Sequence, residues 1–147
     1  MKFVSYQLFG KVVAEGRGRV VRCGNFTRVA TPAATRVGRQ EHISAFQAAC
    51  EPGWQPWAGP VTLQIIVYRA RPKDWWEGKH CRGKPDLDNV AKLTMDALSG
   101  YAYPDDTYVS RLLVTREWSE RESVLVDLVF ESAQEKPRRK PKCTSQA

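Results

Sequence analysis

Residues 61–70 (VTLQIIVYRA) constrain the fold more than any other part of the chain, because they combine β-branched and aromatic residues over the length of a core strand. A polar stretch that contains Gly78 and Gly83 follows at 71–85. Apolar residues then recur at helical spacing over 88–99, and Gly100 stands where a helix commonly ends. The centre of the predicted fold is therefore a strand joined through a loop to an amphipathic helix.

Weaker patterns predict the remaining elements. We expect strands at 3–13, 107–116 and 123–131, the last two joined as a hairpin through 118–122, and an extended segment at 20–30 broken near Gly24-Asn25. A helix reaching to about residue 49 would have Thr31 as its N-cap and Pro32 at its first position. Its core side would carry Ala34, Val37, Ile43 and Phe46. This order predicts an α+β fold, with two main helices packed on one mixed β-sheet.

The length of 147 residues suits one domain with a single hydrophobic core. We assign the domain to 1–133 and regard 134–147 as a basic tail that is expected to be disordered. The tail supplies much of the formal charge of +7, since residues 136–142 (KPRRKPK) contain five basic residues and no acidic residue follows Glu135. The total charge is therefore weak evidence for nucleic-acid binding.

Cysteine usage and hydropathy indicate the compartment. No C-x-x-C pair occurs and the two histidines complete no zinc pattern, so reduced, unpaired thiols are expected at Cys23, Cys50, Cys81 and Cys143. No apolar run is long enough to span a bilayer, and the first residues lack the pattern of a secretory signal. We therefore expect a cytoplasmic protein with no membrane partner.

The distribution of basic residues is more informative than their total. Six arginines and no acidic residue lie between Gly16 and Gln40. Clustered cations lower the free energy of approach to a polyanion such as DNA. The candidates for contacts to DNA phosphates are Arg17, Arg19 and Arg22 from this stretch and Lys84 from a second basic stretch. A solvated surface would explain either cluster equally well.

An acidic motif, KPDLDNVAK at 84–92, surrounds the start of the second predicted helix, and Asp105-Asp106 follow before the next strand. At 100° per residue, Asp88 and Lys92 share a stripe opposite the apolar face of that helix. Asp106 returns to Asp86 and Asp88 if strand 107–116 pairs beside the entry to the helix. Three carboxylates brought together repel one another unless a cation neutralises them, and such oxygen ligands suit Mg²⁺ or Mn²⁺.

A metal held in this way can activate water and stabilise the oxygens of a phosphodiester during hydrolysis. Lys92 would orient the nucleophile or offset the charge on the phosphate. Purely structural roles explain the spacing equally well, since Asp88 would make a good N-cap, Asp86 or Asp105 could close turns, and Asp88 and Lys92 could form an i,i+4 pair. The neighbouring Trp75-Trp76 pair could stack on unpaired bases, cap a core or contribute to a dimer interface.

The acidic motif resembles that of the RusA family of Holliday-junction resolvases, which is often found on phages and prophages. The similarity extends from KPDLDNVAK through Asp96-Ala97-Leu98 to Tyr103-Pro104-Asp105-Asp106 and the strand after it. Upstream, FTRVATPAAT resembles the strand and helix start of the family, so that most of residues 8–118 are covered. The segment GKVVAEGRGRVVRCGNF departs from the family, in which this segment is commonly proline-rich.

The resemblance implies a homodimeric, Mg²⁺-dependent endodeoxyribonuclease that cuts four-way junctions and other branched DNA by paired symmetric incisions, in recombination and repair. Carried over by position, Asp86, Asp88 and Asp106 would be the catalytic metal ligands, Lys92 the essential lysine and Asp105 a supporting acid. Two alternatives stay open. One is a less selective structure-specific nuclease with the same site, and the other is a non-catalytic DNA-binding protein whose aspartates only cap helices and close turns.

Overall fold

The structure, a computed structural model, describes residues 1–133. The elements in this range follow one another as β1 (Lys2–Phe9), β2 (Arg19–Cys23), β3 (Phe26–Ala30), α1 (Ala33–Ala49), β4 (Val61–Ala70), α2 (Leu87–Leu98), a short 3-10 turn (Asp106–Tyr108), β5 (Val109–Ser119) and β6 (Ser123–Phe130). The predicted tail at 134–147 lies outside the described residues. None of the described helices has the length and apolar character that a membrane span requires.

A four-stranded mixed sheet forms the centre of the domain, with the strand order β1-β6-β4-β5. β6 is antiparallel to both β1 and β4, and β4 is parallel to β5. Parallel neighbours need a crossover connection, and α2 lies within the one that joins β4 to β5. The predicted hairpin between the last two strands is therefore wrong, because β4 lies between them and gains a hydrogen-bonded neighbour on each side.

The two helices cover one face of this sheet, which confirms the predicted α+β arrangement. Every second residue of β4 is fully buried under them, namely Val61, Leu63, Ile65 and Val67. The residues between these on β4 are only partly covered, so the opposite face of the sheet is open. Phe3 of β1 and Leu113 of β5 lie on this open face, because the register aligns them with Thr62 and Gln64 of β4. Their side chains are 64% and 53% exposed.

The first helix differs from the prediction at its start and in the face it buries. Pro32, not Thr31, is the N-cap, and it has no side-chain acceptor with which to cap the helix. Ala34 and Val37, which were predicted to face the core, are exposed. Phe46 is buried as predicted and Ile43 is partly buried, but the other buried positions are Thr35, Gly38 and His42. The buried stripe thus contains small and polar residues, which apolar periodicity does not identify.

Gly38 explains why α1 lies so close to the rest of the domain. A Cβ atom at this position would lie 2.8 Å from Val13 Cγ1 and 3.5 Å from Leu93 Cδ1 of α2. Glycine therefore allows α1 to approach both α2 and the segment that follows β1.

The second structural unit is a two-stranded antiparallel ribbon formed by β2 and β3, with a turn at Gly24-Asn25 where the prediction placed a break. The first strand is shorter than predicted and ends at Phe9. The chain leaves the sheet at Gly10, whose φ of +104° is open to glycine and strained for other residues. Residues 10–18 then lead along the helices into the ribbon.

Candidate functional site

The start of α2 holds three of the predicted site residues. The helix begins at Leu87, one residue before the predicted start, with Asp86 as its N-cap and Asp88 in its first turn. The Asp86 carboxylate makes no capping hydrogen bond. Both of its oxygens instead accept hydrogen bonds from Lys84 Nζ at 3.0 Å. A positively charged side chain therefore already compensates the charge of Asp86.

Asp88 and Lys92 take up none of the structural roles considered for them. Asp88 is not the N-cap, since that position belongs to Asp86. Within residues 1–133, neither Asp88 nor Lys92 forms an ion pair, although they are four residues apart on α2. Both side chains are exposed, and both are free to bind a ligand.

A polar cavity of about 560 Å³ opens over the first turn of α2. One wall carries Asp86, Asp88, Asn89 and Lys92. The other wall comes from the chain before the ribbon and from its base, and it consists of Glu15, Gly16, Arg17, Gly18, Val29 and Thr31. The structure thus brings the predicted Arg17 to the same cavity as the acidic motif. Arg19 and Arg22 lie on β2, exposed and outside the lining.

The segment between β1 and the ribbon is attached to both helices. The Glu15 N–H donates to the Asn89 carbonyl of α2 at 3.0 Å, and the Gly16 N–H donates to Thr35 Oγ1 of α1 at 3.0 Å. A Cβ at Gly16 would lie 2.9 Å from both Thr35 Oγ1 and Pro32 Cγ, so a larger residue does not fit without displacement. These contacts hold the base of the ribbon against the turn that carries Asp88.

Asp105 and Asp106 differ in what their side chains do. Asp106 begins the 3-10 turn, and β5 starts at Val109, two residues later than the predicted strand at 107. Asp105 caps this turn by accepting hydrogen bonds from the hydroxyl and the backbone N–H of Thr107, the latter at 2.8 Å. These hydrogen bonds lower the pKa of the Asp105 carboxyl group. Asp105 therefore has a local structural role, as one of the alternatives expected.

Asp106 lies near a buried tyrosine that packs against α2. The Tyr103 hydroxyl donates to the Met95 carbonyl at 3.1 Å. Burial raises the pKa of Tyr103, and the charges of Asp106 and Asp96 raise it further. Asp106 is not part of the cavity lining, and residues 1–133 contain no cluster of three His, Cys, Asp or Glu side chains close enough to share a metal. The structure thus brings Asp86 and Asp88 together and leaves Asp106 outside their cavity.

An ion-pair network that the sequence did not suggest lies beside the cavity. Arg39 of α1 binds the Glu15 carboxylate at 2.5 Å and lies 3.6 Å from that of Asp96. The second oxygen of Glu15 is buried and lacks a hydrogen-bond partner within the described residues. Asp96 continues the spacing of Asp88 and Lys92 along α2, a signal the sequence does contain. Glu15 gives no such signal, because its partner is 24 residues away.

The loop at 71–85, which leads into Asp86, is attached to β4 through a hydrogen bond from Arg69 Nη1 to the Arg82 carbonyl, and to β5 through two further hydrogen bonds. Arg116 Nη2 donates to the Pro85 carbonyl, and Trp118 Nε1 donates to the Lys79 carbonyl at 2.8 Å. Trp75 lies under the guanidinium of Arg71, 4.8 Å from the ring centre, and Trp76 is 60% exposed. The tryptophan pair therefore lies on the surface and does not cap the core.

The structure thus places two carboxylates at the start of a helix, facing an arginine across a polar cavity, and comparison with known proteins identifies the class of protein. The family model described as endodeoxyribonuclease RusA matches residues 10–129, a range that includes both walls of the cavity and Asp106. The chain belongs to the RusA family, whose members are metal-dependent endodeoxyribonucleases that act on Holliday junctions.

A second comparison gives a relative of similar length. The chain is 28% identical to the uncharacterized protein YqaN of Bacillus subtilis (strain 168) over 137 residues, which cover 86% of this chain and 95% of that protein. The similarity therefore extends over most of both proteins.

Proposed function

We propose that this protein resolves four-way junctions and related branched DNA by paired symmetric incisions that depend on Mg²⁺, or on Mn²⁺ in its place, in DNA recombination and repair. The observation that carries the proposal is the polar cavity in which Asp86 and Asp88 face Arg17. Family membership favours an enzyme over a non-catalytic DNA-binding protein. A less selective nuclease that uses the same site is the second candidate.

Asp86 and Asp88 would hold the metal ion; Asp106, which lies outside their cavity here, is the third carboxylate that the family resemblance implies. Their oxygens are the ligands that Mg²⁺ prefers, and both side chains at the α2 start are solvent-exposed. When bound, the metal supplies an activated water and stabilises the leaving oxygen. Asp105 supports the site by fixing the turn that carries Asp106. Lys92, one helical turn beyond Asp88, offsets the negative charge that develops on the phosphate.

Arg17, Arg19, Arg22 and Lys84 bind the phosphates around the scissile bond. Arg17 lines the cavity directly. Arg19 and Arg22 are three residues apart on one strand, so they lie on opposite faces of the ribbon and can reach phosphates on both sides of it. Lys84 pairs with Asp86 and is 84% exposed at its side chain, so it would be available to a DNA phosphate if a bound cation compensated that carboxylate.

A homodimer would match the near two-fold symmetry of a four-way junction, because a two-fold dimer provides two equivalent sites. The open face of the main sheet supports self-association. It presents Phe3, Ile66, Leu113 and Leu125, all at least partly exposed, and of these Ile66 and Leu125 are direct neighbours in the strand register. Exposed apolar side chains of this kind suit another protein surface better than they suit DNA phosphates.

The Asp86→Asn variant tests the catalytic site. With Mg²⁺ and a synthetic four-way junction, we expect incision to fall by about 100-fold or more, since a metal ligand is lost, while junction binding persists. Asp74→Asn is the matched control, because Asp74 is exposed and pairs with Lys79 in the loop. That variant should cut like the wild type.

Two results would contradict the proposal. Unchanged incision by Asp86→Asn would remove Asp86 from the site. Equal cutting of the junction and of a linear duplex with the same sequence would favour the less selective nuclease. Paired incision is checked on a supercoiled plasmid that extrudes a cruciform, where it gives linear product without accumulation of nicked circles.

A further inference from the structure

The ribbon formed by β2 and β3 exposes apolar side chains that the domain does not cover. Its strands pair with each other from Arg19↔Ala30 to Cys23↔Phe26, and within residues 1–133 neither pairs with the main sheet. Phe26 is 67% exposed, and both Val20 and Val29 are more exposed still. An isolated two-stranded ribbon is at best marginally stable in water. Apolar groups held out in this way therefore indicate a surface that is covered by something else.

The charge around these apolar groups identifies DNA as what covers them. Arg17, Arg19, Arg22 and Arg28 lie on or beside the ribbon, in a stretch without acidic residues from Gly16 to Gln40. The register puts Phe26 on one face of the ribbon and Val20 and Val29 on the other, so cations and apolar side chains occur together on both faces. Such a ribbon complements a molecule with a charged backbone and an apolar interior. Nucleic acid has this composition, and a two-stranded β-ribbon has the width of a DNA groove.

The length of the ribbon sets the distance between its tip and the cavity. Gly18 and Val29, at the base of the ribbon, line the cavity that contains Asp86 and Asp88. Five residues of strand extend from there to the turn, which at about 3.3 Å per residue amounts to roughly 15 Å. Along a duplex, that is the length of about four or five base pairs, at about 3.4 Å each. When a phosphate occupies the cavity, the tip reaches bases a few pairs away.

We propose that Phe26 inserts into the base stack at the branch point and thereby selects branched over linear DNA, an inference that rests on the proposed function. Phe26 comes directly after the Gly24-Asn25 turn, at the tip of the ribbon. Apolar wedges of this type separate neighbouring bases of a duplex, and the unstacking opposes insertion. At a branch point the stack is already interrupted, so insertion meets less opposition there than within a continuous duplex.

The test compares Phe26→Ala with the wild type for binding to a four-way junction and to a linear duplex of the same sequence, with 2-aminopurine placed at the branch point. We expect Phe26→Ala to lose about 10-fold in junction affinity, the size of one lost stacking contact, and to change duplex affinity little. The rise in 2-aminopurine fluorescence on binding should disappear with Phe26→Ala and return with Phe26→Trp. Tyr101→Ala is the matched control, because Tyr101 is also an exposed aromatic residue but lies after α2, outside both the ribbon and the main sheet.

Three outcomes would overturn the role of Phe26. These are an equal loss of junction and duplex affinity, an unchanged 2-aminopurine signal, and a change of oligomeric state in sedimentation, which would place Phe26 against a second copy of the chain. Incision by the wild type and by Asp86→Asn is measured on the same junctions. If the wild type unstacks the branch point without cutting, the proposed function is contradicted and the insertion of Phe26 is supported. If the wild type cuts the junction and Phe26→Ala keeps the preference for junctions, the insertion of Phe26 is contradicted and the proposed function is supported.

Discussion

His42 shows how a single buried residue connects α1 to the sheet. Its Nδ1 lies 2.8 Å from the Tyr6 hydroxyl of β1, and the two rings meet edge to face. Burial lowers the pKa of His42 to about 4 and raises that of Tyr6. Both groups are therefore uncharged near neutral pH, and the hydrogen bond joins them in the core.

This burial predicts a specific dependence of stability on pH. Between about pH 6.5 and pH 4 the unfolded chain binds a proton at His42 that the folded protein does not, so the free energy of unfolding decreases as the pH falls through this window. The shift corresponds to a loss on the order of 3 kcal/mol. Urea unfolding at several pH values should show a smaller loss for His42→Gln than for the wild type. Replacement of the exposed His80 by Gln should leave the wild-type slope, and an equal slope in all three proteins would contradict the role of His42.

Site residues could be predicted where the information is local in the chain. Asp86, Asp88 and Lys92 fall within seven residues, and helical geometry alone groups Asp88 with Lys92. Glu15 and Arg39 could not be found in this way, because their contact depends on how the segment after β1 passes over α1. We also predicted from the sequence that Asp106 lies beside Asp86, but in the structure Asp106 is outside the cavity that Asp86 and Asp88 line.

At the scale of elements, the separation of the two helices depends on Gly38. An alanine in the middle of a helix normally adds up to about 1 kcal/mol of stability over glycine. At this position the added Cβ would overlap Val13 at 2.8 Å, which costs about 1–3 kcal/mol if the contact cannot relax. Val13 lies two residues before Glu15, which is hydrogen-bonded to α2 and lines the cavity. A displacement of Val13 would therefore also move the cavity wall that contains Glu15.

We therefore expect Gly38→Ala to lower the free energy of unfolding by about 1–2 kcal/mol and to reduce incision, in spite of the higher helix propensity of alanine. Chemical denaturation checks the first effect and the junction assay the second. Ser44→Ala, at an exposed position of the same helix, should change stability by less than about 0.5 kcal/mol. A more stable Gly38→Ala protein would show that Val13 moves freely.

The elements themselves were predicted better than their pairing. The strand at 61–70 and the helix that follows it were found because each carries a strong local pattern of apolar residues. The arrangement of β5 and β6 was not predicted, because the short connection between them favours a hairpin. In the structure β4 lies between the two strands, buried in the centre of the sheet. On the buried face of α1, Phe46 was predicted correctly, whereas Thr35 and Gly38 were missed because they are buried by close approach to other segments and not by hydrophobicity.

At the scale of the whole molecule, the open face of the main sheet predicts the surface of a dimer. Leu113→Glu places a charge on that face and should shift the protein from dimer to monomer in sedimentation, with loss of paired incision. Leu112→Glu is the matched control, because adjacent residues of a strand point to opposite faces. If both variants stay dimeric, another surface joins the two copies. If the wild type is a monomer, the homodimer is wrong.

The position of β6 in the middle of the sheet determines when, during synthesis of the chain, the sheet can be completed. β6 is the last described strand to be synthesised, and within residues 1–133 it is the strand neighbour of β1. A ribosome completes the acidic motif more than thirty residues before it completes β6, so the nascent chain carries these side chains while β1 and β4 still lack their neighbour. The four-stranded sheet can therefore be completed only after translation has passed residue 130, when β6 takes its place between β1 and β4.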